Sequence, residues 1–232
     1  MTKAILLDIE GTTTPIDFVH RTLFPYARAR VAGYVSENFA SLRKEIAELA
    51  AEAEQDDSYT KPFDKASENS VIEYLKHLID ADRKSTPLKL IQGLIWERGY
   101  AAGELVGEVF PDVPPAFERW KAAGKLIAIY SSGSVLAQKL IFSHTAEGDL
   151  SRHIDRYFDT NIGHKREAES YRRIAGELEL PPDEILFISD IAEELAAAAG
   201  AGMQVLLSVR PGNSPAAESN FERIDSFDRV AA

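Results

Sequence analysis

Four short apolar runs constrain this chain more than any other feature: Ala4–Leu7, Leu126–Tyr130, Ile185–Ile188 and Val205–Val209. Each is four or five residues of mostly Ile, Leu, Val and Ala, without polar alternation, as a strand covered on both faces requires. A weaker fifth candidate is Tyr157–Asp159. Helical patterns fall between them. Pro114–Ala123 opens on a proline suited to a first helical turn and stops before Gly124, a natural residue just past a helix end. Ser134–Ser143, Glu167–Glu179 and Ile191–Ala199 follow the second, third and fourth strands. Strand and helix alternate from residue 108 onward, which predicts an α/β fold with a doubly wound parallel sheet and right-handed crossovers.

The first strand stands apart from the rest. Between Phe18 and about Glu104 no strand pattern occurs, and several helices do. Val71, Ile72, Leu75, Leu78 and Ile79 share one helical face. Thr86-Pro87 reads as an N-cap followed by an N1 proline, ahead of Leu88, Ile91, Leu94 and Ile95. Polar Gln55–Lys65 reads as a loop between helices. The expected organisation is a core of residues 1–16 and 108–232 with a helical cap of residues 17–107. An insertion of roughly 90 residues far exceeds an ordinary connection. It leaves from the carboxyl end of the first strand, where a cap over an active site belongs. After Arg210, the string Pro211-Gly212-Asn213-Ser214-Pro215 reads as loop, followed by a tail without an assigned element.

Composition narrows the partners. With 26 Lys+Arg against 37 Asp+Glu the net charge is −11, and no basic patch is visible to draw nucleic acid or anionic lipid. The longest uncharged stretch, Leu195–Val209, is broken by glycines and falls short of the roughly 18 residues of a membrane span. Asp8 and Glu10 interrupt the N-terminal apolar run, and no small-residue cleavage site follows. Cysteine is absent, which removes disulfides, thiolate catalysis and zinc–sulfur sites together. A soluble, cytoplasmic enzyme or small-molecule binder is expected, with neither nucleic acid nor membrane as partner.

The chemistry-bearing residues sit where the strands end. The first strand runs into Asp8-Ile9-Glu10-Gly11-Thr12-Thr13, and a turn at Gly11 lets both carboxylates converge on one crevice. Two acids there suit a metal site, or a nucleophile with a general acid–base. They would equally solvate a strand end and cap a helix. The second strand runs into Ser131-Ser132-Gly133-Ser134, whose hydroxyls and turn N–H groups at a helix start form an anion cradle or a plain N-cap. The fourth ends in Ser189-Asp190, with Glu193 and Glu194 in the next turn, where the helix dipole alone would favour acids. Lys165 lies between the third and fourth strands. In open α/β sheets ligands bind at these carboxyl ends, beside the point where strand order reverses.

This order and spacing resembles the haloacid-dehalogenase-like phosphatases: an aspartate after strand one, Ser/Thr after strand two, lysine before strand four and an acid after it. The resemblance implies strand order 5-4-1-2-3. It narrows to the enolase-phosphatase family of methionine salvage on Asp8-Ile9-Glu10-Gly11-Thr12-Thr13-Thr14-Pro15-Ile16, Gln92-Gly93-Leu94-Ile95-Trp96 and Tyr130-Ser131-Ser132-Gly133-Ser134. Phe158-Asp159-Thr160 with Gly163 and Lys165, Ser189-Asp190 with Glu194-Leu195, and Arg210-Pro211-Gly212-Asn213 complete the set. One departure from the broader family is Glu10, where an Asp is usual. A second is Glu194 in place of Asp, read as a supporting residue outside the reacting shell.

The resemblance implies that Asp8 attacks phosphorus and that Glu10 serves as acid and base. Ser131, Ser132 and Lys165 would bind the phosphate. Mg²⁺ would be held by Asp8, Asp190 and the backbone carbonyl of Glu10. The implied activity is enolisation of 2,3-diketo-5-methylthiopentyl 1-phosphate and then its dephosphorylation to acireductone, by a monomer. Two alternatives stand beside it: a phosphatase of the same superfamily with another small substrate, and a non-catalytic receiver-like module phosphorylated on aspartate. A receiver's acceptor follows a later strand, and it lacks a large insertion after strand one. Phe18, Trp96 and Tyr100 could line a pocket for a thioether tail, although aromatics at helical spacing more often fill a core.

Overall fold

β1, Ala4–Leu7, is buried at every position and lies inside a parallel sheet in the computed structural model, which describes residues 1–213 and 220–231. The chain then passes through a π-helical segment, Phe18–Leu23, into α1 (Phe24–Asn38), α2 (Arg43–Ala53), α3 (Glu68–Asp80) and α4 (Thr86–Ala101). It continues as α5 (Val113–Ala122), β2 (Leu126–Tyr130), α6 (Val135–Ser143), β3 (Arg156–Phe158), α7 (Ala168–Glu177) and β4 (Ile185–Ser189). α8 (Ala192–Gly200), β5 (Gln204–Ser208) and a two-residue β6 (Arg223–Ile224) complete it. No helix among the described residues is long and apolar enough to cross a membrane.

The sheet order is β3-β2-β1-β4-β5-β6. Ala4–Leu7 pairs with Leu126–Ile129 on one side and with Ile185–Ile188 on the other, all parallel. The expected order 5-4-1-2-3 is therefore present, extended at one edge by β6. Two residues carry no periodic signal, so the sequence predicts no such strand; Leu207 and Ser208 of β5 pair with Arg223 and Ile224. Ser214 and Pro215 of the expected loop lie outside the described residues.

Alternation along the strands divides the core between two faces. Ala4, Leu6, Tyr130 and Phe187 pack with Tyr171 and Ile174 of α7 and Leu195 and Ala198 of α8. Ile5 and Leu7, equally buried, point the other way. α5 packs on β2, and its Phe117 and Trp120 form one aromatic cluster with Phe142 of α6 and Phe227.

The chain divides into two compact units, Met1–Val19 with Leu105–Ala232, and His20–Glu104. The second is helical, α1 packing on both α3 and α4. The five α3 residues expected on one face are all buried. The cap of α4 differs from expectation by one position. Ser85, not Thr86, is the N-cap: its hydroxyl accepts the Leu88 N–H at 3.3 Å, and Pro87 falls in the first turn. Both residues carry a capping hydroxyl, and the extended backbone of Ser85 selects between them. Trp96 and Tyr100 are core residues of this unit; the Trp96 indole donates to the Leu23 carbonyl at 2.8 Å.

Candidate active site

Asp8 is the first residue beyond β1, and its N–H still bonds the Ile188 carbonyl of β4 at 3.0 Å. Its side chain is buried and engaged on one oxygen. Oδ1 accepts from Lys165 Nζ at 2.7 Å. The same ammonium reaches Glu194 Oε2 at 2.6 Å. Ser189, the last residue of β4, donates its hydroxyl to Glu194 Oε2 at 2.9 Å, while Asp8 Oδ2 lies 3.4 Å away. A hydroxyl has one proton, so Glu194 takes it and Oδ2 is the less engaged oxygen of Asp8.

Charges crowd this crevice. Burial alone would lower the Lys165 pKa, but the Asp8 and Glu194 carboxylates override it and raise it, so the ammonium stays charged. Glu194 is pushed up to about 7 by burial and by the Asp8 charge. Asp190 is pushed up to about 7 by burial, then by Asp8 and Glu194. One lysine therefore faces three acids.

Lys165 is aimed by the backbone that carries it. Three consecutive carbonyls are each taken by a side-chain hydroxyl: Gly163 by Tyr130 at 2.9 Å, His164 by Ser170 at 2.8 Å and Lys165 by Tyr171 at 2.7 Å. Gly163 has φ +145°, and a Cβ there would overlap the Ser170 hydroxyl. No sequence pattern marks these donors, since Tyr130 ends an apolar strand run and Ser170 and Tyr171 fall inside a helical one.

The loop after β1 folds on itself. The Ile9 carbonyl accepts N–H bonds from Thr12, Thr13 and Thr14 at 2.9–3.1 Å, and the Gly11 N–H bonds the Thr14 carbonyl at 2.8 Å. Glu10 is half-buried in this turn. Gly11 has φ +70°, and the point where its Cβ would stand is only 2.5 Å from Asp190 Oδ2. Glycine thus admits the Asp190 carboxylate to the loop backbone. Among the described residues no three His, Cys, Asp or Glu side chains are grouped to hold a metal ion.

Ser131 is buried and Ser132 half-buried at the end of β2, the strand beside β1. Ser131 Oγ accepts the Gly133 N–H at 3.2 Å, and Ser134 caps α6 through the Ala137 N–H at 3.3 Å. These bonds close the turn and cap the start of α6. No hydrogen bond joins either serine to Asp8 among the described residues. Glu194, assigned in the sequence to a supporting role, is buried directly on Lys165, whereas its neighbour Glu193 is exposed.

The family pattern for haloacid dehalogenase-like hydrolase matches residues 2–202. Enolase-phosphatase E1 of Synechococcus elongatus is 51% identical over 230 residues, covering 97% of this chain and 96% of that protein. Its counterpart in Drosophila pseudoobscura pseudoobscura is 48% identical, covering 92% of this chain and 87% of its own. Among solved structures, the UTR4 protein of Saccharomyces cerevisiae superposes with a TM-score of 0.77 at 32% identity, covering 99% of this chain and 100% of its own. CbbY of Rhodobacter sphaeroides, solved with phosphate, has a TM-score of 0.59 at 22% identity, a likeness of fold alone.

Proposed function

Since this chain belongs to the haloacid dehalogenase-like hydrolases and, within them, to the enolase-phosphatase E1 family, we propose that it enolises 2,3-diketo-5-methylthiopentyl 1-phosphate and then dephosphorylates it, in methionine salvage. The observation that carries the reading is the clamp of Lys165 on one oxygen of Asp8 at the carboxyl end of β1. The lysine orients the carboxylate and leaves Oδ2 to attack phosphorus. Attack forms the Asp8–phosphorus bond as the substrate oxygen leaves with its electron pair, and water later hydrolyses the acyl-phosphate. Glu10, two residues on, is assigned to protonate the leaving oxygen and then to take the proton from that water.

The residues present fit Mg²⁺. Their donors are hard oxygens, the acids outnumber the lysine, and Gly11 opens the loop backbone to Asp190. Asp8, Asp190 and the Glu10 carbonyl would hold the ion, whose chemistry when bound is neutralising the phosphate dianion. Lys165 supplies a second fixed charge, for the phosphate and for the developing enolate oxygen. Ser131, Ser132 and the turn N–H groups are assigned to the remaining phosphate oxygens. The insertion between β1 and α5 supports a capping role for the helical unit, which would exclude water from the reactive enol. The reading carries with it a monomeric, cytoplasmic enzyme acting on a free small phosphate.

Asp8→Asn tests the assignment. Wild-type protein with Mg²⁺ in deuterated water should incorporate deuterium into the diketone phosphate and release phosphate, and should leave common sugar phosphates largely intact. The variant should release none while still exchanging the carbon-bound proton at high Mg²⁺. Phosphate release by the wild type with no exchange and no enol product would reduce the reading to a plain phosphatase. Full activity in excess chelator would overturn the metal assignment.

A further inference from the structure

The Gly11–Thr12 segment is held from β5, although β4 lies between β5 and β1 in the sheet. Ser208, the buried last residue of β5, donates its hydroxyl to the Gly11 carbonyl at 3.1 Å. Asn213 Nδ2 donates to the same carbonyl at 2.9 Å. Arg210 Nε donates to the next carbonyl, Thr12, at 3.2 Å. Three side chains reach past the end of β4 and converge on two consecutive carbonyls.

Local sequence explains how they converge. The Asn213 N–H returns to the Arg210 carbonyl at 3.2 Å, closing a turn with Pro211 at its second position and Gly212, φ +87°, at its third. That is the signature of a type II turn, which brings its first and last residues side by side. Arg210 is further immobilised. It is buried between the rings of Phe110 and Phe227, 4.7 and 4.5 Å from their centroids, and pairs with Asp112 at 2.8 Å. Its Nη1 also donates to the Asp225 carbonyl at 2.8 Å. The clamp is therefore built on packed, charge-compensated groups.

We propose that Ser208, Arg210 and Asn213 are positioning residues for the reaction: by fixing the Gly11 and Thr12 carbonyls they set the orientation of Glu10. This rests on the reading in which Glu10 acts at the reacting centre. A trans peptide has its N–H and C=O on opposite sides. The Gly11 N–H is tied to the Thr14 carbonyl, so the Glu10 carbonyl in the same peptide plane is directed away from that bond. Rotation of this plane would redirect both the carbonyl and the side chain before it. The donors on the next two carbonyls oppose that rotation. None of the three residues is assigned a contact with substrate.

Ser208→Ala and Asn213→Ala, singly and combined, test the clamp, since each removes one donor on the Gly11 carbonyl. The double variant leaves that buried carbonyl without either donor. Its amide hydrogen exchange at Gly11–Thr14 should quicken about tenfold or more, with Leu6 and Ile188 unchanged; kcat should fall about tenfold at a KM within about twofold of wild type. Each single variant should fall between. Should the double variant fail to fold, the singles and Arg210→Lys, which keeps the charge facing Asp112 but loses the planar fork, are expected to show the same local acceleration. Loop exchange equal to wild type in the folded variants would overturn the proposal. So would acceleration spread equally over β1 and β4 with kcat per folded molecule unchanged, the mark of a purely structural role. If the wild-type chain releases no phosphate from the diketone phosphate or from sugar phosphates, the functional reading fails instead. Exchange in the metal-free protein then still decides whether the clamp exists.

Discussion

Lys165 lies 2.7 Å from one buried carboxylate and 2.6 Å from another, and neither acid has a second cation among the ion pairs of the described residues. Breaking a buried pair by removing one partner costs about 3–5 kcal/mol, because the charge left behind is neither solvated nor matched. Lys165→Met should therefore lower stability by about that much in denaturant titrations, alongside losing phosphate release. Adding Glu194→Gln should recover part of the stability, because it removes one of the two stranded charges, but none of the activity. A double variant no more stable than the single would show that the lysine does not hold Glu194. Asp190 and Glu194 are both pushed up to about 7 by burial and by the Asp8 charge. The folded core thus tolerates acid crowding at the place where a cationic ligand would relieve it.

At the scale of elements, α7 shows how two glycines of one region do different work. Gly163, in the loop before the helix, combines φ +145° with a neighbour on the Cβ side, the Ser170 hydroxyl. Alanine there would strain the backbone and push α7 from the loop that carries Lys165. We expect Gly163→Ala to destabilise by about 2 kcal/mol or more and to lower kcat. Gly176 is exposed in the last turn of α7 with open space where a Cβ would stand. Gly176→Ala should stabilise by about 0.5–1 kcal/mol and leave kcat unchanged. Thermal unfolding of the pair separates the two cases. A Gly163→Ala protein as stable and active as wild type would remove the close approach of Ser170 from the account of how Lys165 is aimed.

Over the whole molecule, parallel pairing of all six strands brings every strand's carboxyl end to one side of the core unit. This lets Asp8 meet Lys165 across 157 residues and Ser189 across 181. The C-terminal segment closes the opposite problem, an exposed edge and an open aromatic layer. β6 pairs with β5, and Phe227, fully buried, meets Trp120 at 5.4 Å between ring centroids. Its N–H also bonds Asp112, the carboxylate that compensates Arg210. Phe227→Ala should cost about 3–5 kcal/mol, as truncations of fully buried aromatics do. It should also loosen Arg210, one of whose two flanking rings is lost, so that Thr12 exchange quickens beyond the global change. A loss under about 1 kcal/mol would mean that the tail packs without supporting the core.

Strand content, the helical insertion and the placing of acids at strand ends were legible in the sequence because their causes are local. An apolar run of four or five residues must be buried whichever neighbours bury it, so Ala4–Leu7, Leu126–Tyr130 and the runs near residues 185 and 205 were read within a residue of their observed ends. Strand order came from the resemblance, not from periodicity. Asp8, Lys165 and Asp190 were picked out as side chains at or between those ends. What the tertiary structure decided was partnership. Glu194 has the sequence of a dipole-favoured helix-start acid and becomes the second carboxylate on Lys165. The hydroxyls of Tyr130, Ser170 and Tyr171 become the fixings of a loop, and Ser208, Arg210 and Asn213 become donors to a turn about 200 residues upstream. A residue's type sets what it can donate, accept or bury. Only the order of strands in the sheet, which no local pattern encodes, sets which groups stand within about 3 Å to receive it.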